Sequence, residues 1–222
     1  MLSPFFISKM KPTILFDLDG TLIDSTSAIL EGFYHAFDKF DFAKPKDKAI
    51  TSQIGYPLEI MFSNLGVKNE FIDKFVKAYK EKYLQIYLDK TILLNTAYEA
   101  VKFANEFADL GVVTTKTSEF SRILLKHLGI YQYFKTIIGK EDTKNLKPHP
   151  EPILNALANL DKNSQNAFMV GDTKLDAIAA KNADLKSIGL LCGYGTYEEL
   201  NAHCDFICKN PLEAVELIKK IQ

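Results

Sequence analysis

The feature that most constrains this chain is a short apolar run that ends in two carboxylates. The run Thr-Ile-Leu-Phe at positions 13–16 is followed by Asp17 and Asp19, and then by Gly20 and Thr21. The side chains of a parallel strand are buried, so packing alone gives no reason to end such a strand in paired charges. Ligands of an open parallel sheet bind beyond the carboxyl ends of its strands, where these carboxylates would lie. The stretch therefore predicts a parallel sheet with a chemical site at its edge.

The length and charge of the chain limit what it can bind. A chain of 222 residues is suited to one domain, or to one domain with an insert. Hydrophobic residues make up 47% and charged residues 25%, which is typical of a globular protein with a sizeable core. The formal net charge of −1 gives no electrostatic reason to bind nucleic acid or an anionic membrane. We therefore expect a small molecule as the partner, and neither nucleic acid nor a membrane.

The cysteines and the amino terminus point to a cytoplasmic protein. Cys204 and Cys208 lack the second pair of ligands that a zinc site needs, and Cys192 makes the number odd, so reduced thiols are the preferred interpretation. The apolar patch at residues 5–7 precedes its lysines, the reverse of a secretory signal, and is too short to span a bilayer. Met10 is an alternative start of the native chain, which leaves residues 1–9 open as an upstream extension.

A helical insert follows the first strand. Apolar residues recur at helical spacing in three successive segments, and no strand signal interrupts residues 25 to 90. We predict a small α-helical cap domain over residues 24–92, and an α/β core over residues 1–23 and 93–222. The last segment carries an aromatic stripe, which is interpreted as the packing face of the cap and not as a cofactor site; it comprises Phe71, Phe75, Tyr79, Tyr83 and Ile86.

Helices and strands alternate from about residue 95 to the end of the chain. Strands are predicted at 111–115, 134–138, 167–170 and 187–190, with a short one near 206–207, and helices lie between them. Such alternation implies crossover connections and a parallel sheet. The predicted fold class is therefore α/β, a doubly wound parallel sheet with a Rossmann-like core and the inserted helical cap.

Four groups of polar residues fall at the carboxyl ends of these strands: Asp17 with Asp19, Thr114 with Thr115, Lys147, and Asp172 with Asp176. Taken singly, each has an ordinary explanation, because an aspartate after a strand usually caps a helix and a lysine before a proline is usually solvated. Their common placement on one edge of one sheet favours a functional site.

The residue types in these groups fit phosphoryl transfer. Two or three carboxylates with open positions suit Mg²⁺, which also accepts phosphate oxygens as ligands. One carboxylate can act as a nucleophile, and a second can donate and accept a proton. A hydroxyl and a lysine ammonium can hold the phosphoryl oxygens and offset charge during transfer.

The order and spacing of these groups resemble the haloacid-dehalogenase-like hydrolase superfamily, and within it the phosphoglycolate-phosphatase-like branch with a helical cap. The resemblance runs from about residue 13 to the end of the chain. It rests on the residues 17–25, on Thr114, on Lys147 before Pro148, on the pair Gly171-Asp172 with Asp176 after it, and on the late loop Gly193-Tyr194-Gly195.

The resemblance implies a role for each matching residue. Asp17 would be the nucleophile and a magnesium ligand, and Asp19 would be the general acid and base and give its backbone carbonyl to the metal. Lys147 would act in catalysis by binding the phosphoryl group together with Thr114. Asp172 would ligate Mg²⁺, and Asp176 would do so directly or through water.

Further predictions concern the residues that bind the substrate. Thr115 stands where relatives usually have asparagine, which changes a polar contact near the phosphate. The cap loop at Gly55 is the candidate specificity element, with Lys116 opposite it on the core; the alternative is that this loop is a simple turn into a helix.

Three functions are compatible with these residues. The leading one is a magnesium-dependent phosphomonoesterase that acts on a small metabolite such as phosphoglycolate through an aspartyl-phosphate. A phosphosugar mutase, or a non-catalytic binding protein on the same scaffold, are the alternatives. The sequence leaves open whether the protein is a monomer or a homodimer.

Overall fold

The computed structural model describes residues 11–222, so the amino-terminal patch and Met10 lie outside the described residues. The described residues form eight strands: β1 (Thr13–Phe16), β2 (Ile23–Asp24), β3 (Ile92–Leu93), β4 (Asp109–Val113), β5 (Thr136–Ile138), β6 (Ala167–Gly171), β7 (Lys186–Leu190) and β8 (Phe206–Cys208). Six of them form one sheet in the order β5-β4-β1-β6-β7-β8, and every pair in it is parallel. The predicted α/β fold class is confirmed.

The register of the sheet explains why the site forms where it does. Phe16 at the end of β1 is level with Val112 of β4 on one side and with Val170 of β6 on the other. The residues that follow these three strands therefore leave the sheet at the same edge. Asp17 continues this alignment, because its backbone N–H donates to the carbonyl of Val170 at 2.9 Å.

Ten helices are described: α1 (Thr26–Lys39), α2 (Asp47–Thr51), α3 (Leu58–Asn64), α4 (Asn69–Ile86), α5 (Ala97–Phe107), α6 (Ser118–His127), α7 (Glu151–Asn159), α8 (Lys174–Asn182), α9 (Tyr197–His203) and α10 (Pro211–Ile221). Helices α7 and α8 bury one face of the sheet around Leu15 and Met169, whereas α5 and α10 bury the other face around Ile14 and Phe168. This two-sided cover is the doubly wound arrangement. None of the described helices is both long enough and apolar enough to cross a membrane.

Helices α1 to α4 follow β2 and precede β3 in the chain, and these two short strands pair with each other. Aromatic rings fill the space between α1, α3 and α4, and the rings of Phe33 and Phe62 lie 4.5 Å apart. Helices α1 and α4 approach closely at Gly32, where a Cβ atom would lie 2.6 Å from the ring of Tyr79. The β2–β3 pair lies beside the predicted boundaries of the cap, and the division into a cap and a core stays a prediction.

Some elements differ from the sequence-based expectation. Helices α2 and α9 are not predicted, because each is short and buries a single apolar residue, Ile50 or Leu200. Strand β4 begins at Asp109, earlier than its apolar run, because Asp109 pairs with Thr13 of β1 and its N–H donates to the carbonyl of Pro12. The carboxylate of Asp109 is paired with Lys135 and Lys162. Strand β5 begins late because residues 131–133 form a 3₁₀ turn.

Candidate active site

Three carboxylates meet at the edge of the sheet beyond β1 and β6. Asp17, Asp172 and Asp176 each place a carboxylate oxygen within 4.8 Å of the others, and all three residues are buried. The site therefore brings together three of the four predicted metal ligands through their side chains. Asp19 is the exception, since its carboxylate is not in the group, and a contact through its backbone carbonyl stays a prediction.

Lys147 is the cation of this cluster. Its Nζ lies 2.9 Å from Asp17 Oδ1, 2.5 Å from Asp176 Oδ1 and 3.0 Å from the carbonyl of Val113, to which it donates. The residue is only 5% exposed, so its ordinary interpretation as a solvated loop lysine is wrong. One ammonium contacts two of the three buried carboxyl groups, so full ionisation of all three needs further positive charge.

A glycine-bounded loop holds Asp172. Its Oδ1 accepts a hydrogen bond from Thr21 Oγ1 at 2.9 Å, and its Oδ2 accepts one from the backbone N–H of Tyr194 at 2.8 Å. The backbone comes this close because residue 193 is a glycine: a Cβ atom there would lie 2.2 Å from Asp172 Oδ2. Gly20 makes a similar approach from the other side in a left-handed conformation with φ of +82°.

Both carboxylate oxygens of Asp176 already accept hydrogen bonds from the protein. Its Oδ2 accepts from the backbone N–H of Thr173 at 3.1 Å and from Thr173 Oγ1 at 2.7 Å, forming a capping box at the start of α8. Its Oδ1 accepts from Lys147. These contacts favour contact with a metal through water over direct coordination.

Asp19 faces a different set of partners from Asp17. Its Oδ2 lies 3.3 Å from Lys116 Nζ, and its Oδ1 accepts a short hydrogen bond from Ser25 Oγ. Lys116 Nζ also donates to the hydroxyl of Tyr83, a residue of α4, at 2.9 Å. The two carboxylates of the first motif are thus separated into a cluster that faces Lys147 and a position that faces the cap.

The two threonines after β4 take different positions. Thr114 is buried and follows Val113, whose carbonyl accepts from Lys147; its own Oγ1 accepts from the backbone N–H of Lys116 at 3.2 Å. Thr115 is half-buried and lines a cavity between the helices after β2 and the sheet.

This cavity has a volume of about 110 Å³. Asp19, Thr115 and Lys116 line it from the sheet side, and Gly55 and its neighbours line it from the helical side. The structure therefore places Gly55 and Lys116 on one cavity, as the sequence predicts. Gly55 adopts φ of +107° and lies next to Thr173 and Leu175, so the loop also packs against the start of α8.

Burial controls the electrostatics of the cluster. Burial raises the pKa of Asp17 to about 7, although the Lys147 ammonium opposes the shift. The pKa of Asp172 is held well above its ordinary value, first by burial and then by the charges of Asp17 and Asp176. Burial lowers the pKa of Lys116, but Asp19, Tyr83 and Tyr79 together raise it by more, so the pKa lies well above its ordinary value.

The donor set fits a hard divalent cation. Carboxylate oxygens are the ligands that Mg²⁺ takes from proteins, and buried charges need a partner to be stable. Asp17 and Asp172 would hold such a dication, which would supply the positive charge that lets both carboxyl groups ionise.

The stability of the metal-free protein should therefore depend on pH. Because the pKa of Asp17 is raised from 3.8 to about 7, the folded state keeps a proton that the unfolded state loses. We expect the free energy of unfolding in EDTA to fall as pH rises from about 4 to about 7. Chemical denaturation across this range measures it. Saturating Mg²⁺ should flatten the profile, and a metal-free stability that rises through this window would contradict the electrostatic description.

A substitution at Gly193 should act on the cation through Asp172. In Gly193→Ala the new methyl group must displace the Asp172 carboxylate or the N–H of Tyr194, so we expect Mg²⁺ affinity to fall about 10- to 100-fold. Titration calorimetry with Mg²⁺ measures the change. Gly129→Ala is the control, because a Cβ atom there meets nothing within 4 Å and only the left-handed backbone strain is added. Equal Mg²⁺ affinity in both variants would exclude the proposed role of the 193–195 loop.

Sequence reasoning missed several contacts of the site. The sequence indicates Ser25 and Tyr194 only as members of the motifs at 17–25 and 193–195, and Tyr83 only as part of the packing face of the cap. The spacing of Gly193 and Gly195 is the signal that could have shown the backbone approach to Asp172, since a Cβ atom at either position would collide with it.

Comparisons with known proteins agree with this geometry. The sequence profile of the haloacid dehalogenase-like hydrolases matches residues 14–190. The pyrophosphatase PpaX of Bacillus velezensis is 35% identical over 186 residues, which cover 82% of this chain and 84% of that protein. The pyrophosphatase PpaX of Halalkalibacterium halodurans is 35% identical over 177 residues, covering 79% of this chain and 81% of that protein.

A solved structure shows the same architecture. A haloacid dehalogenase-like hydrolase of Streptococcus pneumoniae superposes with a TM-score of 0.86 at 27% identity, covering 93% of this chain and 98% of that one. The sheet order, the carboxylate cluster and the sequence matches lead to one assignment. This chain belongs to the haloacid dehalogenase-like hydrolase family and is a phosphatase.

Proposed function

We propose that the protein is a Mg²⁺-dependent phosphohydrolase that acts on a small phosphorylated metabolite through a phosphoryl group carried by Asp17. The observation that supports this most is that the two aspartates of the first motif, Asp17 and Asp19, have different surroundings. Asp17 is buried against Lys147 with the other carboxylates, whereas Asp19 points to the cavity and pairs with Lys116. A nucleophile and a proton carrier need such separate surroundings.

The reaction would take two displacements at phosphorus. In the first, a carboxylate oxygen of Asp17 bonds to phosphorus, the bond to the leaving oxygen breaks, and that oxygen takes a proton from Asp19. In the second, Asp19 takes a proton from water while the water oxygen bonds to phosphorus, and the bond to Asp17 breaks to release inorganic phosphate.

The surrounding residues hold the phosphoryl group during both steps. Lys147 Nζ lies 2.9 Å from Asp17 Oδ1, and Thr114 is buried directly after β4; both would donate to the oxygens of the phosphoryl group and offset its charge. Asp17 and Asp172 would hold a Mg²⁺ ion directly, and Asp176 would contact it through water. The ion would screen the repulsion between the anionic nucleophile and an anionic substrate.

The cavity beside Asp19 favours a short leaving group. Its volume of about 110 Å³ is small against the roughly 300–1,000 Å³ of pockets that take drug-sized ligands. The relatives named pyrophosphatase suggest phosphate as the leaving group, and the resemblance to phosphoglycolate phosphatases suggests glycolate. Both leaving groups are small and anionic.

The experiment is a measurement of phosphate release from pyrophosphate, phosphoglycolate and a hexose 1-phosphate, each with Mg²⁺ and with EDTA. We expect Mg²⁺-dependent release from at least one of the first two substrates, and slower release from the sugar phosphate. Conversion of the sugar phosphate into an isomer without free phosphate would establish the mutase alternative instead. No reaction with any substrate would overturn the proposal.

A further inference from the structure

Two tyrosines of helix α4 face the cavity from the side opposite to Asp19. Tyr79 and Tyr83 lie one helical turn apart, and their rings stack with centroids 5.3 Å apart and planes at 16°. Both are nearly completely buried. The sequence predicts them as part of a packing face, and their rings do pack; their hydroxyl groups are left to be explained.

The hydroxyl of Tyr79 forms no hydrogen bond with any of the described residues, although the side chain is only 5% exposed. Its surroundings are polar on one side, since the charges of Lys116 and Asp19 both act on it. The Tyr79 oxygen is not among the enclosed unpartnered atoms of the described residues, so its hydroxyl is open to the cavity. A molecule in the cavity can therefore accept a hydrogen bond from it.

The hydroxyl of Tyr83 acts as an acceptor but not as a donor among the described residues. It accepts a hydrogen bond from Lys116 Nζ at 2.9 Å, so its own hydrogen is free to be donated, and no acceptor among residues 11–222 takes it. Lys116 in turn lies 3.3 Å from Asp19 Oδ2. Tyr83 therefore stands two contacts away from the carboxylate that would pass a proton to the leaving group.

Three lysines line the cavity: Lys80 is exposed, and the other two already have carboxylate partners. Lys116 pairs with Asp19, and Lys140 pairs with both oxygens of Glu59 at 2.7 and 2.8 Å. Among the buried groups of the cavity, neutral donors are therefore the ones left to bind an incoming anion. The two phenols supply two such donors side by side.

We propose that Tyr79 and Tyr83 are specificity-determining residues that bind the leaving group of the substrate by donating to its anionic oxygens. The ligand class is a phosphoryl compound whose leaving group carries a second acceptor, either a carboxylate or a phosphate. This inference rests on the proposed function and adds residues of the cap to it. It also explains why two tyrosines, and not two phenylalanines, occupy these positions in an aromatic stack.

The test compares Tyr79→Phe and Tyr83→Phe on two kinds of substrate. Phosphoglycolate and pyrophosphate carry the second anionic acceptor, and phenyl phosphate lacks it. Each variant keeps its ring and therefore its stacking. We expect kcat/KM for the first two substrates to fall about tenfold in each variant, and kcat/KM for phenyl phosphate to change less than about twofold. Comparing phosphoglycolate with pyrophosphate shows which anion the pair accepts.

A second readout separates binding from a structural role. In Tyr79→Phe the unpartnered hydroxyl is removed, so the thermal midpoint of the ligand-free protein should stay the same or rise while kcat/KM falls. Tyr87→Phe is the matched control, because Tyr87 stacks on Tyr83 at 5.5 Å but contacts Phe120 and lies outside the lining of the cavity. This control should not change the preference between substrates.

The outcomes distinguish the two proposals. A wild-type protein that turns over none of the substrates would remove the proposed function. A wild-type protein that is active, with the same substrate preference in both phenylalanine variants, would overturn the assignment of Tyr79 and Tyr83 alone. Equal losses on phenyl phosphate and on the anionic substrates would also overturn it.

Discussion

Replacing Asp17 by asparagine is expected to lower kcat by at least about 10³-fold and to leave the protein folded. The amide has no anionic oxygen to attack phosphorus, but it keeps the shape of the side chain and an oxygen for Lys147. Because burial raises the pKa of Asp17 to about 7, removing its charge should leave the thermal midpoint in EDTA unchanged or higher. Phosphate release and calorimetric unfolding measure the two effects.

The control for this substitution is Asp24→Asn in the same motif. Asp24 Oδ1 accepts from the backbone N–H of Thr26 at 2.9 Å, a contact that asparagine can keep, and Asp24 is not in the carboxylate cluster. Its variant should retain activity within about threefold. Substantial phosphate release by Asp17→Asn, at a rate close to that of the control, would remove Asp17 as the nucleophile.

Replacing Lys147 by methionine is expected to have the largest effect on stability. The substitution leaves Asp17 and Asp176 buried without their ammonium partner, and breaking a buried pair in this way costs about 3–5 kcal/mol. We expect this loss in the free energy of unfolding at neutral pH without metal. The loss should shrink at about pH 5, because carboxyls whose pKa is raised by burial then bind protons in the folded state. Activity should fall at least about 10²-fold.

Lys174→Met is the matched control for this prediction. Lys174 pairs with Glu199 at 2.9 Å, the same distance as Lys147 and Asp17, but both side chains are about 40% exposed. Exposed pairs contribute about 0–1 kcal/mol, so this variant should unfold close to the wild type. Equal stability losses for the two lysines would show that burial does not govern the strength of the pair at Lys147.

The sequence was sufficient for the sheet and for the edge at which the polar groups meet. Buried strands of the core read as apolar runs, so β1, β4, β6 and β7 could be recognised, and the register then brings residues 17, 114 and 172 to one edge. Short elements such as α2 and the β2–β3 pair could not be recognised. Their few residues bury little apolar surface, and the tertiary structure determines them.

Within the site, the pattern predicted which residues come together but not how they are paired. Asp19 and Asp17 are neighbours in sequence, yet their side chains face Lys116 and Lys147 respectively, which depends on the path of the chain after β1. The hydroxyls of Tyr79 and Tyr83 were hidden in an aromatic stripe, since periodicity reports the direction of a side chain and not the use of its polar end. A helical face can serve packing with its rings and binding with its hydroxyls.

Asp17 is the side chain proposed to carry the phosphoryl group between the two displacements. Acid quenching of the protein during turnover of its best substrate with Mg²⁺, followed by mass spectrometry of the peptides, tests it directly. We expect a phosphoryl group on Asp17, with none on Asp19, Asp172 or Asp176. A phosphoryl group on another side chain, or an unmodified Asp17 while phosphate is being released, would contradict it.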